Sequence, residues 1–274
     1  KIILSESTDS CSWLLGDLID YFDFVWKGQL YKNKSKYKEK HYGGRLFTNK
    51  IYESNKIKDS HMIYNNPLNN SQINKLKISW NSGLIKYIDY RFLWRYKIYH
   101  NKIFRGKFKN NNYSYFKTRE ISSRFNLNYE RNTIKFIREN TKNYIKKYTD
   151  TNKINLTKYF QELFKSKICI SPFGWGEICY RDFECFESKC LLLKNNMSHL
   201  ETWPNYFVEN SSYIPFELDS SDLIEKIEEI INDFQSYKQV ALNGYKNFNT
   251  FTHHDYGSKF SSRLKELINI YENN

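Results

Sequence analysis

Cysteine is sparse and irregularly placed in this chain. Cys11, Cys169, Cys179, Cys185 and Cys190 make an odd set without a C-x-x-C pair, and most fall in or beside apolar segments. That spacing predicts neither a disulfide framework nor a zinc site, and fits a reducing, cytoplasmic setting. Long apolar runs are also missing. No stretch reaches the roughly 18 residues a membrane-spanning helix needs. The opening Lys1-Ile-Ile-Leu4 is too short for a signal peptide and reads as a buried strand, as expected of a chain numbered from inside a longer one. There is no internal repeat. Acidic residues are outnumbered, 30 against 43 Lys and Arg, for a formal charge of +13. Such a surface favours anionic partners: nucleotide-sugar phosphates, anionic lipid or nucleic acid. The lysines are spread along the chain, which argues against one dedicated patch.

What is present indicates a folded protein. Hydrophobic residues make up 40% and charged residues 27% of 274, enough for one large domain or two modest ones. Aromatics reach 18%, part of which AT-rich codons would explain. Residues 1–100 read as mixed α/β. Ile2–Leu4 and Phe22–Lys27 have strand character, and Trp13–Tyr21 reads as a short helix. Lys32–Lys40 reads as solvated charge and Asn65–Ser71 as a loop. Residues 84–100 read as an aromatic, basic helix. The polar run 101–118, with Asn110–Asn112, is the expected domain boundary. A helix follows from about Asn132 to Tyr148.

From Asn155 the pattern is regular. A helix (Asn155–Lys165) precedes an apolar strand (Lys167–Ser171), a glycine turn (Phe173–Gly176) and a helix (Glu177–Ser188). Strands follow at Cys190–Lys194 and Ser212–Phe216, then helices at Leu223–Phe234, Tyr237–Phe248 and Ser258–Tyr271. Strands apolar on both faces, alternating with helices, predict a parallel sheet covered on both sides.

Ser171-Pro-Phe-Gly-Trp-Gly-Glu177 is the segment with chemical promise. Gly174 and Gly176 permit close backbone approach and positive φ, and a helix N-terminus beyond them offers free N–H groups to a phosphate. On a helix from Glu177, residues Glu177, Arg181, Glu184 and Ser188 share a polar stripe. Arg181 can neutralise diphosphate oxygens and a carboxylate can bind ribose hydroxyls. The plain alternative is an exposed Glu177–Arg181 ion pair worth under about 0.5 kcal/mol.

Ser171-Pro172-x-Gly174-x-Gly176, then Arg181-x-x-Glu184, then the strand Cys190–Lys194, resembles the donor-binding half of GT-B glycosyltransferases, especially the CgeB-like and exostosin-like groups. The resemblance extends over about Asn155–Tyr271. It implies a GT-B-like α/β fold: a Rossmann-type donor-binding domain over 109–274, with a smaller or truncated acceptor-side α/β portion over 1–108. It implies a glycosyltransferase that is metal-independent and uses no cofactor beyond its nucleotide-diphosphate sugar. Gly174, Trp175, Gly176, Glu177, Arg181 and Glu184 would bind the donor, and Ser198, His199 and Thr202 would meet its sugar, with Trp203 able to cover an apolar sugar face. Two features depart from the families. Lys189 stands where a small residue is usual, and Glu177 and Glu184 are seven rather than eight apart.

Other candidates are weaker. Arg119 and Arg124 precede a helix and could reach phosphate; Arg131 and Arg138 could share a face, with solvated charge the plainer reading of each. Asp9 and Glu6 follow the first strand, where an acceptor-side base could lie, and His199 is a second candidate base. His253–His254–Asp255 reads as helix-start polarity, not a metal set. The expected partners are a nucleotide sugar and a glycan or lipid-linked acceptor, with peripheral membrane association and no nucleic acid. The competing function is a non-catalytic basic protein gripping nucleic acid or an anionic surface through Tyr87–Lys117.

Overall fold

The computed structural model describes residues 2–84, 117–252 and 256–272. The aromatic stretch 85–100, most of 101–118, the 108/109 division and the 253–255 cluster lie outside them. The described residues form an α/β protein. A four-stranded parallel sheet runs in the order β5 (Arg119–Ser122), β6 (Ser166–Ser171), β7 (Leu191–Asn195), β9 (Ile214–Phe216).

The two-sided burial expected of these strands is present. Ile168, Ile170, Leu191 and Leu193 point into one apolar cluster with Ile145 of α3 (Asn132–Ile145), three residues of α6 (Leu223–Asn232) and Ala241 of α7 (Phe234–Thr252). Cys169 and Leu192 point the other way, among Leu163 of α4 (Leu156–Lys165) and Phe183 and Phe186 of α5 (Tyr180–Glu187). Alternate side chains thus serve opposite faces, as strand geometry requires.

The N-terminal part builds a smaller parallel sheet from β1 (Ile3–Glu6), β2 (Phe24–Lys27) and β4 (Leu76–Ile78), in the order β1-β2-β4. Val25 and Leu76 join the cluster that contains Cys169 and Leu192, so one core runs through both halves. Phe24 and Trp26 face the other way and pack on Leu267 and Leu264 of the last helix, α8 (Tyr256–Glu272). A short antiparallel ribbon of β3 (Gln29–Tyr31) and β8 (Leu200–Thr202) also ties the halves together.

Several local expectations need correction. The helix after the glycine turn begins at Tyr180, not Glu177. Asp182 caps it by accepting from the Cys179 N–H at 2.8 Å, and Cys179 itself is extended. Asn65–Ser71 is not all loop: Asn69 and Gln72 form a reciprocal capping box that starts α2 (Asn70–Lys75). Within Lys32–Lys40, Tyr37 is buried and donates to the Cys11 carbonyl at 2.8 Å, anchoring a 3-10 turn over Lys34–Lys38. The 3-10 turn Gly16–Tyr21 replaces the expected helix over Trp13–Tyr21, and α1 (Leu46–Asn55) completes the N-terminal half.

Candidate functional site

The glycine turn runs between two polar places, with Gly174 against Arg138 of one and Gly176 against Asp9 of the other. On one side lies a cleft of about 890 Å³ at the carboxyl ends of β5 and β6. It is bounded by the loop after β5 (124–129), residues 151–156, Tyr159 of α4 and the first turns of α5. Ligand pockets of this size and position are common in open parallel sheets.

Three guanidinium groups line the cleft, and the fold treats each differently. Arg181 donates from Nε to the Arg124 carbonyl at 2.7 Å and from Nη1 to Ser171 Oγ at 3.3 Å, lying over the Phe125 ring. Arg138 is buried, donating to the carbonyls of Phe173 (2.8 Å) and Asn126 (2.9 Å), with its guanidinium 4.8 Å from the Tyr129 ring centre. Solvated charge is therefore not its role, and burial lowers its pKa. Arg124 is forked onto Glu162 at 3.0 and 2.7 Å and also meets Asp150 at 3.0 Å, so its charge is largely committed. Arg119 is outside the cleft lining: it bonds the Ile121 carbonyl and Thr149 Oγ1 and lies 3.7 Å from Glu162.

Glu184 is buried on the cleft wall and accepts from the Tyr159 hydroxyl at 2.6 Å. Gly174 sits against Arg138: a Cβ there would stand 2.5 Å from Nη2. Gly174 and Gly176 do not use positive φ; among the described residues the left-handed glycines are Gly43 and Gly44, at 70° and 69°. Trp175 is half exposed, with Arg131 at 5.4 Å and Arg45 at 5.7 Å from its ring. Both arginines donate to the Gly43 carbonyl. Burial, and next the like charge of Arg131, lower the Arg45 pKa to about 10.

The second place is the junction between the glycine turn and the loop after β1. Gly176 lies directly under the Asp9 carbonyl, which also accepts from Gln29 Nε2 at 2.5 Å, while Asp9 as a whole is exposed. Glu177, expected on the helix stripe, is instead fully buried in this junction and outside the cleft lining. Its carboxylate accepts from Ser10 Oγ (3.2 Å), the Cys11 N–H (3.2 Å) and the Cys11 thiol (3.1 Å), and His199 Nε2 is 3.6 Å away. Burial opposes its ionisation, but the His199 imidazole and the Cys11 donors outweigh burial and hold its pKa at about 2. His199 is half buried, its ring 6.4 Å from that of Phe173 and 6.5 Å from that of Tyr31. It lines a small hollow of about 60 Å³ with Phe173, Asn195 and Lys50.

Ser198 is exposed at the tip of its loop. Thr202 is buried and tied to the N-terminal half, donating to the Gly28 carbonyl at 2.8 Å and accepting from Asn81 at 2.9 Å. Trp203 packs edge-on to Phe251 and under Arg263, on helices rather than in the cleft. Glu6 is buried 3.8 Å from Lys27. The structure thus collects Arg181 and Glu184 in one cleft, sets Gly174 behind its Arg138, and gathers Glu177, His199 and Asp9 at the junction.

Sequence reasoning missed Asp182, which is fully buried, 2.9 Å from Lys194 and bonded to Ser171 Oγ at 2.6 Å. With Cys179 and not Ser or Thr at the cap, its three-residue spacing was no ordinary cap signal. The aromatic walls Phe125, Tyr129 and Tyr159 carried no mark either.

No helix of the described residues is long and apolar enough to cross a membrane. No protein-family model matches the chain, and no curated protein does. Among solved structures, the chain is similar to the C-terminal domain of a glycosyl transferase group 1 family protein (LpcC) from Francisella tularensis. The identity is 17% and the TM-score 0.32, covering 51% of this chain and 89% of that one. It is also similar to an alpha-glucosyltransferase solved with UDP-glucose and DNA containing an abasic site. There the identity is 9% and the TM-score 0.37, covering 96% of this chain and 72% of that one.

Proposed function

We propose that this protein transfers a glycosyl unit from a nucleoside-diphosphate sugar to an acceptor hydroxyl, on a GT-B-like framework. The observation that carries the reading is the glycine turn, set between an arginine-lined cleft and a polar junction bearing His199 and Asp9. In this reading the base stacks among Phe125, Tyr129 and Tyr159, and Glu184 accepts from the ribose. Arg181 and Arg138 face the diphosphate. As the bond from the anomeric carbon to phosphate breaks and the bond to the acceptor oxygen forms, charge develops on the leaving diphosphate. Guanidinium groups already held by carbonyls stabilise that charge without reorganising. The acceptor proton goes to Asp9, exposed beside Gly176. The donor-binding part is the C-terminal one, and the N-terminal sheet with its loops serves the acceptor, a glycan or lipid-linked hydroxyl compound.

Calorimetry with nucleoside diphosphates tests the assignment. Charge-assisted hydrogen bonds are worth about 1.5–3 kcal/mol, so Arg181→Ala and Arg138→Ala should each weaken binding by roughly tenfold or more. Glu184→Gln should weaken it less. Arg119→Ala, outside the cleft, should leave it unchanged. Equal, small effects across all four variants would sink the assignment.

A further inference from the structure

We propose that Cys11, Glu177 and His199 form a site for a divalent transition metal of the zinc class, which clasps the loop after β1 to the glycine turn. Positions 11, 177 and 199 share no sequence spacing that would announce a metal motif; the fold brings them together. Cys11 Sγ, a Glu177 carboxylate oxygen and a His199 ring nitrogen all lie within 4.8 Å of one another. Zinc bonds of about 2.0–2.3 Å in tetrahedral array place ligand atoms about 3.3–3.6 Å apart. The Sγ to Oε1 distance is 3.1 Å and the Nε2 to Oε1 distance 3.6 Å, so small side-chain shifts suffice.

The donor set is what such an ion selects. One thiolate, one imidazole and one carboxylate form a borderline-soft set that suits zinc or cobalt far better than magnesium or calcium. His199 Nε2 supplies a further sign: it is shut off from solvent and makes no hydrogen bond, the Glu177 oxygen standing off at 3.6 Å. Cys11 and Glu177 are fully buried. A dipositive ion beside one thiolate and one carboxylate leaves no net charge, which a buried site requires. Binding converts the Cys11 thiol to a metal thiolate and releases one proton to solvent; no electron is transferred.

The surroundings also fit. Ser10 Oγ and the Cys11 N–H donate to the two oxygens of Glu177 and orient it, and the Lys32 N–H donates to the His199 carbonyl at 2.8 Å. Such outer contacts fix ligands in place. Three protein ligands leave one position for water. Tyr31 Oη, buried with no partner within hydrogen-bonding distance and with its ring beside that of His199, is a group that could bond to that water.

The test uses the full chain and reads metal, not transfer, so it and the glycosyltransferase reading fail separately. Protein purified from zinc-supplemented culture should carry zinc at one per chain by elemental analysis. After chelation, cobalt(II) should restore a thiolate-to-cobalt charge-transfer band. Cys11→Ser should abolish that band. His199→Ala should weaken cobalt binding beyond the roughly 10–100-fold that loss of an outer contact costs. Cys179→Ser, whose thiol is not in the trio, should keep both. Zinc should also raise the melting temperature of the wild type but not of Cys11→Ser. Wild-type protein that takes up no stoichiometric zinc and shows no sulfur-to-cobalt band overturns the site, whether or not the variants fold. A band that survives in folded Cys11→Ser does the same.

Discussion

Replacing Gly176 with alanine should unlatch the loop after β1 from the glycine turn. A Cβ at this position would overlap the carbonyl carbon and oxygen of Asp9 and stand 3.0 Å from its Cβ. The obstacle is backbone, and no rotamer change relieves it. Either the turn or the loop must move, and the loop carries the Ser10 and Cys11 donors that satisfy buried Glu177. Overpacking costs about 1–3 kcal/mol, and the disturbed donors put this variant at the upper end. For a chain of this size each kcal/mol moves the melting temperature by about 2–4 °C, so a fall of roughly 6–12 °C is expected. Gly174→Ala is the internal contrast. Its Cβ meets chiefly Arg138 Nη2 at 2.5 Å, a side-chain end and not backbone, so relief costs the bonds to the Phe173 and Asn126 carbonyls but leaves the chain path in place. It should melt closer to the wild type while binding nucleoside diphosphate more weakly, because the displaced group is a cleft arginine. Scanning calorimetry and nucleotide titration of both variants decide the matter. If Gly176→Ala melts like the wild type, or Gly174→Ala is the less stable of the two, the latch argument is wrong.

Three other outcomes follow from buried or strained groups. Asp182→Ala leaves Lys194 charged and unpaired in a fully buried position, a loss of about 3–5 kcal/mol; adding Lys194→Met should recover most of it in urea unfolding, and failure to recover would mean the pair is not the cause. Lys189 holds φ at 58°, so Lys189→Gly trades left-handed strain of about 1–2 kcal/mol against glycine's roughly 0.5–1 kcal/mol of extra entropy, and the urea midpoint should rise slightly rather than fall. Burial raises the Glu162 pKa, but its bonds from Arg124 and Ser122 outweigh burial and lower it; the stability this confers is present above the unfolded carboxylate value and is lost as pH falls through the folded one, so Glu162→Gln should flatten the acid side of the stability profile.

Much of the fold was legible because the parallel sheet writes itself in continuous apolar runs. Lys167–Ser171 and Cys190–Lys194 could hardly be anything but strands covered on both faces. The short strands β3, β4 and β8 carry only three residues each, too few for a period to show. Lys189 is the instructive intermediate. The resemblance to GT-B enzymes raised the expectation of a small residue there, and the left-handed backbone, at φ 58°, is a position that favours glycine.

The site was legible in proportion to how locally it is built. Arg181 and Glu184 lie three residues apart on one helix, and the turn before that helix follows a strand readable by itself, so their common cleft could be anticipated. Glu177 shows where that logic fails. Its spacing to Arg181 assumed a helix already under way, but Asp182 caps a helix that starts three residues later and leaves Glu177 in the bend before it, pointing to the other side of the turn. There its partners are Ser10, Cys11 and His199, residues more than twenty or more than a hundred and sixty positions distant. One capping carboxylate therefore decides which of the two polar places receives Glu177. Moving the helix start back by one turn would return Glu177 toward the cleft and strip the junction of its charge. Asp182→Asn, which keeps the side-chain shape but weakens the cap and leaves Lys194 unpaired, should disturb the junction at Cys11 as well as the cleft. Cys11 alkylation rates in that variant, faster than in the wild type, would register the coupling.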